Sequence, residues 1–203
     1  YNIKGEFDFK RCRNAFLQLI ERNESLRTSF HWHDDTPVQV IHPADNIEFL
    51  IEYLDASSPD LRSSVNRLTE ISPFIQPFDL SRAPLLRARI VKKNWDEYIL
   101  MVDMHHIISD GTSMGLLVDD FIRLYSGEEL PPLTIQYRDF AVWQNRFAAD
   151  ENLLRQENYW LNVFPDPAEI PRLDLPYDLP RPPMVQYDGA RFGFLLDESD
   201  TEA

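Results

Sequence analysis

Met104-His105-His106-Ile107-Ile108-Ser109-Asp110-Gly111 is the stretch whose reading decides the fold. It stands between an aliphatic run, Tyr98 to Met104, which reads as a buried strand, and a helical pattern that begins just past Gly111. Two histidines thus leave the C-terminal end of a strand, and an Asp-Gly pair precedes a helix. A turn of that kind can hold an imidazole rigidly at the bottom of a cleft. Histidine is the side chain suited to exchange a proton near neutral pH, and a carboxylate close by can fix its surroundings. Gly111 permits a backbone angle or a close approach that a β-carbon forbids. A His-His pair alone is more often a core or surface feature than a catalytic one, so the motif needs support from the rest of the chain. Metal binding fits poorly: a strand continued through His105 and His106 turns them to opposite sides, and no Cys cluster or spaced His pair supplies further ligands.

Working upstream from that turn, Leu85 to Val91 forms a second aliphatic run, separated from Tyr98 to Met104 by the polar turn Lys92 to Glu97, so the two are adjacent strands, the second well buried. Asp60 opens an amphipathic helix through Leu61, Val65 and Leu68 that Ser72-Pro73 stops. Glu48 to Leu54 reads as a strand. Leu26 to Trp32 and Val38 to Ile41 flank Asp34-Asp35-Thr36-Pro37 as two strands joined by a turn. Phe9, Cys12, Phe16, Leu19 and Ile20 recur at helical spacing behind a capping Asp8, and that helix ends near Asn23.

Downstream, Ser113 is placed to cap a helix whose inner face is Leu116, Leu117, Phe121 and Leu124, ending near Gly127. A helix-rich segment from Tyr137 to about Phe164 carries Phe140, Trp143, Phe147, Leu154, Tyr159 and Trp160. Prolines accumulate from Pro165 to Pro183 and mark an extended connector. Ala190 to Leu196 alternates as one more strand. The order is mixed, with strands both adjacent and separated by helices, which predicts an α+β sandwich.

Composition narrows the function classes. The 203 residues are 43% hydrophobic and 12% aromatic, enough for a sizeable core. Lys and Arg total 20 against 34 Asp and Glu, a formal net charge of −14 with no basic block, so direct binding to nucleic acid or an anionic membrane is disfavoured. The single cysteine, Cys12, falls on the apolar stripe of the first helix and reads as a buried thiol. One cysteine makes no internal disulfide, which suits a reducing cytoplasm. No stretch is long and apolar enough for a membrane span, and the first residues lack a signal-peptide pattern.

Further motifs, in chain order, join the first. Arg22-Asn23-Glu24-Ser25-Leu26-Arg27-Thr28-Ser29-Phe30 is similar to RHExLRTxF, and Pro77-Phe78-Asp79-Leu80 with Pro84-Leu85-Leu86-Arg87 to PFDLxxxPLLR. Tyr137-Arg138-Asp139-Phe140-Ala141-Val142-Trp143 is similar to YxDFAVW, and Met104 to Gly111 carries HHxxxDG. Together, and in this order, they resemble the condensation domains of nonribosomal peptide synthetases, relatives of chloramphenicol acetyltransferase and dihydrolipoamide acyltransferase. Leu175-Pro176-Tyr177-Asp178 with Pro180-Arg181-Pro182 resembles that family's connector. Asn23 stands where the family usually has His, and Ala83 where Gly is common. Phe140, Trp143, Phe78 and Leu86 read as core residues that recur because the fold needs them.

The resemblance implies a chloramphenicol acetyltransferase-like two-layer sandwich lobe with a mixed sheet flanked by helices. Residues 1–164 correspond to the N-terminal lobe, and 165–203 to the connector and first strand toward a C-terminal lobe that, with an opening segment, lies outside these residues. It implies transfer of a carrier-bound acyl or peptidyl thioester to the amine of a carrier-bound aminoacyl thioester, the isolated lobe being inactive. His106 is then the catalytic residue and His105, Asp110, Gly111, Arg22 and Arg27 its support, with Arg22 or Arg27, Arg22 favoured, pairing with Asp110 to brace the turn. Donor and acceptor carrier domains and an adjacent adenylation domain are the implied partners; phosphopantetheine comes with the carriers, and no cofactor or metal is bound directly. Competing readings are a coenzyme A-dependent acyltransferase working alone and a noncatalytic lobe that docks carriers. An epimerisation domain would show Trp soon after the signature, where this chain has Thr112-Ser113-Met114, and a cyclisation domain would carry aspartates in place of the histidines.

Overall fold

Strand β5 (Leu86–Lys92) is the spine of the protein: Leu86, Ala88, Ile90 and Val91 are buried while Arg87, Arg89 and Lys92 are half-exposed, the alternation a pleated strand imposes. In this computed structural model, which describes residues 1–57, 74–147, 151–166, 168, 170, 171, 176, 177, 179, 180, 183, 184 and 192–195, β5 pairs antiparallel with β6 (Glu97–Met104) and parallel with β4 (Ile51–Asp55). A short β1 (Asn2–Lys4) adds to the far edge of β6, giving a mixed four-stranded sheet in the order β1-β6-β5-β4. A parallel pair needs a crossover. The helix expected from Asp60 to Ser72 falls on residues 58–73, outside the described residues.

Helix α1 (Phe9–Arg22) begins where Asp8 accepts hydrogen bonds from the backbone nitrogens of Lys10 and Arg11, and Asn23 terminates it. Its stripe of Cys12, Ala15, Phe16, Leu19 and Ile20 is buried. Helix α2 (Gly111–Tyr125) contributes Leu117, Phe121 and Leu124 to the same core, where the rings of Phe16 and Phe121 lie 4.9 Å apart. The expected inner face included Leu116, but that residue is 66% exposed. Helix phase places it outward, because Leu117, Phe121 and Leu124 already define the stripe. Asp110, not Ser113, caps α2. The connection from α2 turns at Gly127, where φ of +88° suits a residue without a side chain.

Strands β2 (Thr28–His33) and β3 (Thr36–Ile41) form a separate two-stranded sheet around Asp34 and Asp35, both at positive φ, as a tight hairpin turn requires. Leu26 and Arg27, expected in β2, instead belong to a 3-10 turn, Glu24–Arg27. Burial also corrects the expected weighting of the central strands. Only Tyr98 and Leu100 of β6 are buried, because β6 has the short β1 on its outer side whereas β5 lies between two partners.

Helices α3 (Tyr137–Phe147) and α4 (Glu151–Val163) follow. Phe140 and Trp143, expected in the core, are 44% and 57% exposed. They stack along α3 at ring separations of 5.6 Å for this pair and 5.5 Å for Trp143 with Phe147, packing against one another on the helix surface. The chain divides into two compact units, 1–153 and 154–203. In the second, Tyr159 meets Trp160 edge-on at 5.2 Å. Of the run expected as a final strand, residues 192–195 are described and carry no regular structure; the remainder lies outside the described residues, as does much of 165–183. No helix among the described residues is long and apolar enough to cross a membrane. The whole is α+β, as expected.

Candidate active site

The last rung of β6 lies just past its end, where the nitrogen of His105 donates to the carbonyl of Leu85 at 3.0 Å. The backbone then tightens into a 3-10 turn, His106–Ile108, so the strand does not continue through both histidines. His105 caps that turn: its Nδ1 accepts from the nitrogen of Ile107 at 3.0 Å. Ile108, 8% exposed, anchors the turn in the core. Ser109 returns to extended backbone, and Asp110 starts α2. A strand end, a buried isoleucine and a helix start thus fix the segment within six residues.

His106 is exposed and faces a cleft of about 490 Å³. Part of its lining is Asn23, Ser25 and Thr28, from the end of α1 to the start of β2; another part is Gln136, Tyr137 and Phe140, at the start of α3. Gln136 ties these two parts together. Its Nε2 donates to the carbonyl of Arg22 at 2.9 Å, and its Oε1 accepts from the nitrogen of Glu24 at 3.1 Å. Glu24, 8% exposed, adds ion pairs to Arg27 at 3.6 Å and to Arg138 at 3.2 Å.

Asp110 Oδ1 accepts from both the nitrogen and the hydroxyl of Ser113, each at 2.7 Å. These two bonds, the backbone one foremost, hold its carboxyl below the usual aspartate range, and the nearby His106 adds to the effect.

The expected arginine brace is absent. Arg22 Nε lies 3.1 Å from Asp120, and its guanidinium also donates to the carbonyl of Pro131. Asp120 stands ten residues beyond Asp110 on the same helix, about 15 Å along the axis, so the end of α1 meets α2 at the wrong level to reach Asp110. Arg27 instead donates to the carbonyl of His42 at 2.6 Å and pairs with Glu24. Gly111 has helical backbone without positive φ, and a β-carbon built there meets nothing within 4 Å. The chain's own packing therefore does not demand glycine at this position. Sequence reasoning missed Ser113 as the partner of Asp110, although Asp just before a helical pattern is itself a cap signal. It also missed Gln136, for which no local pattern exists.

A family model described as "Condensation domain" matches residues 1–203. Gramicidin S synthase 2 from Aneurinibacillus migulanus is 47% identical over 192 residues, covering 95% of this chain and 4% of that protein. Bacitracin synthase 3 from Bacillus licheniformis is 43% identical over 195 residues, covering 96% of this chain and 3% of that protein. The chain thus spans a few per cent of the length of the curated relatives it matches. Among solved structures, the epimerization domain from the third module of tyrocidine synthetase B superposes with a TM-score of 0.73 at 28% identity, covering 89% of this chain and 42% of that one.

Proposed function

The chain belongs to the condensation-domain family of nonribosomal peptide synthetases, and from that premise we propose that it forms amide bonds with His106 as the catalytic residue. The α-amine of a carrier-bound aminoacyl thioester attacks the carbonyl carbon of a carrier-bound acyl or peptidyl thioester. A C–N bond forms, the C–S bond breaks, the sulfur leaves as thiol, and the amine loses one proton. His106 accepts that proton or hydrogen-bonds to the tetrahedral intermediate. The observation that carries this reading is the exposure of His106 in the cleft while its backbone is held by the His105 cap, Ile108 and the start of α2.

No cofactor is bound directly in this reading. Phosphopantetheine arrives on the donor and acceptor carrier domains and enters the cleft lined by Asn23, Ser25 and Gln136. An adenylation domain charges the acceptor carrier, and a C-terminal lobe closes the tunnel, so the lobe alone is inactive. Residues 1–164 act as the lobe and 165–203 as the connector. His105 and Asp110 hold the turn, Gly111 leaves room beside His106, and Arg22 and Arg27 support the wall formed by the end of α1. The synthetase works in the cytoplasm, where the single Cys12 stays reduced.

The test is amide formation between two loaded carrier domains by the module that carries this chain. His106→Ala should slow it by about 10²–10⁴-fold. Equal rates in wild type and variant would give His106 a structural role. Transfer from coenzyme A with no carrier required would favour the stand-alone acyltransferase, and carrier binding without product the docking lobe.

A further inference from the structure

The segment from Pro77 to Arg87 stands out in the sequence, yet none of its side chains lines the cleft. Its placement explains that. Along β5 and β6, Leu86, Ala88 and Met104 belong to the core beneath the helices, so the alternate residues Arg87, Asp103 and His105 lie on the opposite face of the sheet. There Arg87 Nε lies 3.4 Å from Asp103, its cross-strand register partner, and Nη1 donates to the carbonyl of Phe74 at 3.4 Å. The guanidinium lies over Phe78, with Cζ 3.8 Å from the ring centroid. Phe78 in turn meets the ring of His105 edge-on, at 6.1 Å and 84°. Phe78 itself cannot drift far. Two residues on, the carbonyl of Leu80 accepts from the nitrogen of Phe30 at 2.8 Å, tying this segment to β2.

We infer that Arg87 and Phe78 are positioning residues for His106, acting through His105. The path is continuous: Asp103 and the Phe74 carbonyl hold Arg87, Arg87 holds Phe78, and Phe78 limits the rotation of the His105 ring. His105 must keep Nδ1 toward the nitrogen of Ile107, because that bond caps the turn on which His106 is the first residue. The turn is thereby gripped from both faces of the sheet, by Ile108 on the helix side and by this stack on the other. Lysine at 87 would keep the charge but lose the guanidinium over Phe78.

The inference rests on His106 being catalytic, and the test separates the two ideas. In the module carrying this chain, with both carriers loaded, Arg87→Leu should lower the single-turnover rate of amide formation by about 10- to 100-fold while leaving the apparent KM for the acceptor carrier unchanged. Arg87→Lys should recover only part of the loss. The double variant Arg87→Leu, His105→Ala should be no slower than His105→Ala alone, since both changes cut one path. Imidazole nitrogen NMR reads the same path without catalysis: His105 Nδ1 should appear as an unprotonated acceptor in the wild type and as a tautomer average in Arg87→Leu. Multiplying rate losses, or a His105 spectrum unmoved by Arg87→Leu, would overturn the inference. Should Arg87→Leu fail to fold, Phe78→Leu carries both readouts. A wild type that forms no amide bond yet shows the His105 change would refute the functional reading and leave the relay standing.

Discussion

Asp110 Oδ1 sits 2.7 Å from both the nitrogen and the hydroxyl of Ser113, so the carboxylate just before Gly111 serves the start of α2 and not an arginine. Asparagine is also a good cap, whereas alanine is not. Asp110→Asn should therefore retain most of the melting temperature at neutral pH and Asp110→Ala should lower it. The folded carboxyl titrates below the 3.8 of an unperturbed aspartate. Its contribution is complete above that value and disappears as acid protonates the native carboxylate. Circular dichroism melts from about pH 7 down to about pH 2 should show a shallower acid limb in Asp110→Asn than in the wild type.

Gly111→Ala separates folding from chemistry. The added methyl meets nothing within 4 Å and the backbone is helical, so the melting temperature should hold or rise. On the proposed reading, in which Gly111 leaves room beside His106, amide formation should fall by about tenfold or more. An unchanged rate would mean that the space is not used.

Cys12 reports on opening of the core. Burial pushes its thiol up from 9.0 to about 12. Iodoacetamide at about pH 8 should leave it unmodified in the folded protein and label it at the rate of unfolding. A thiol whose native pKa is raised stabilises the fold below the unfolded value and loses that contribution as pH climbs from 9.0 toward about 12, so Cys12→Ala should flatten the alkaline limb of stability over that window.

Gln136→Leu should cost about 1–3 kcal/mol in urea unfolding, since it orphans the carbonyl of Arg22 and the nitrogen of Glu24, a residue only 8% exposed. If the same side chain also sets the width of the cleft, the apparent KM for a loaded carrier should rise in parallel.

Local signals carried the reading of α1, of the hairpin and of the strand that delivers His105 and His106, because caps, periodicity and turn residues act within a few positions. Most of the errors concern partners. Arg22 was expected against Asp110 and meets Asp120, a choice set by the level at which two helices cross and invisible to spacing along the chain. Phe140 and Trp143 show an apolar helical pattern, but a pattern does not say what covers it. β1 is three residues long, too short for alternation to register, and is defined by β6 far along the sequence. Serine favours the cap role that Ser113 is expected to fill, but Asp110 holds the stronger position one turn earlier.

That pairing of β1 with β6 also orders events during synthesis. The nitrogen of Leu100 donates to the carbonyl of Tyr1, 99 residues earlier, at 2.9 Å. A ribosome adding about 5–20 residues per second leaves β1 without its neighbour for roughly 5–20 s. The hairpin of β2 and β3, whose residues emerge together, can pair meanwhile. β1 is thus made well before the strand it pairs with, and it keeps an open edge until the histidine-bearing strand arrives to cover it.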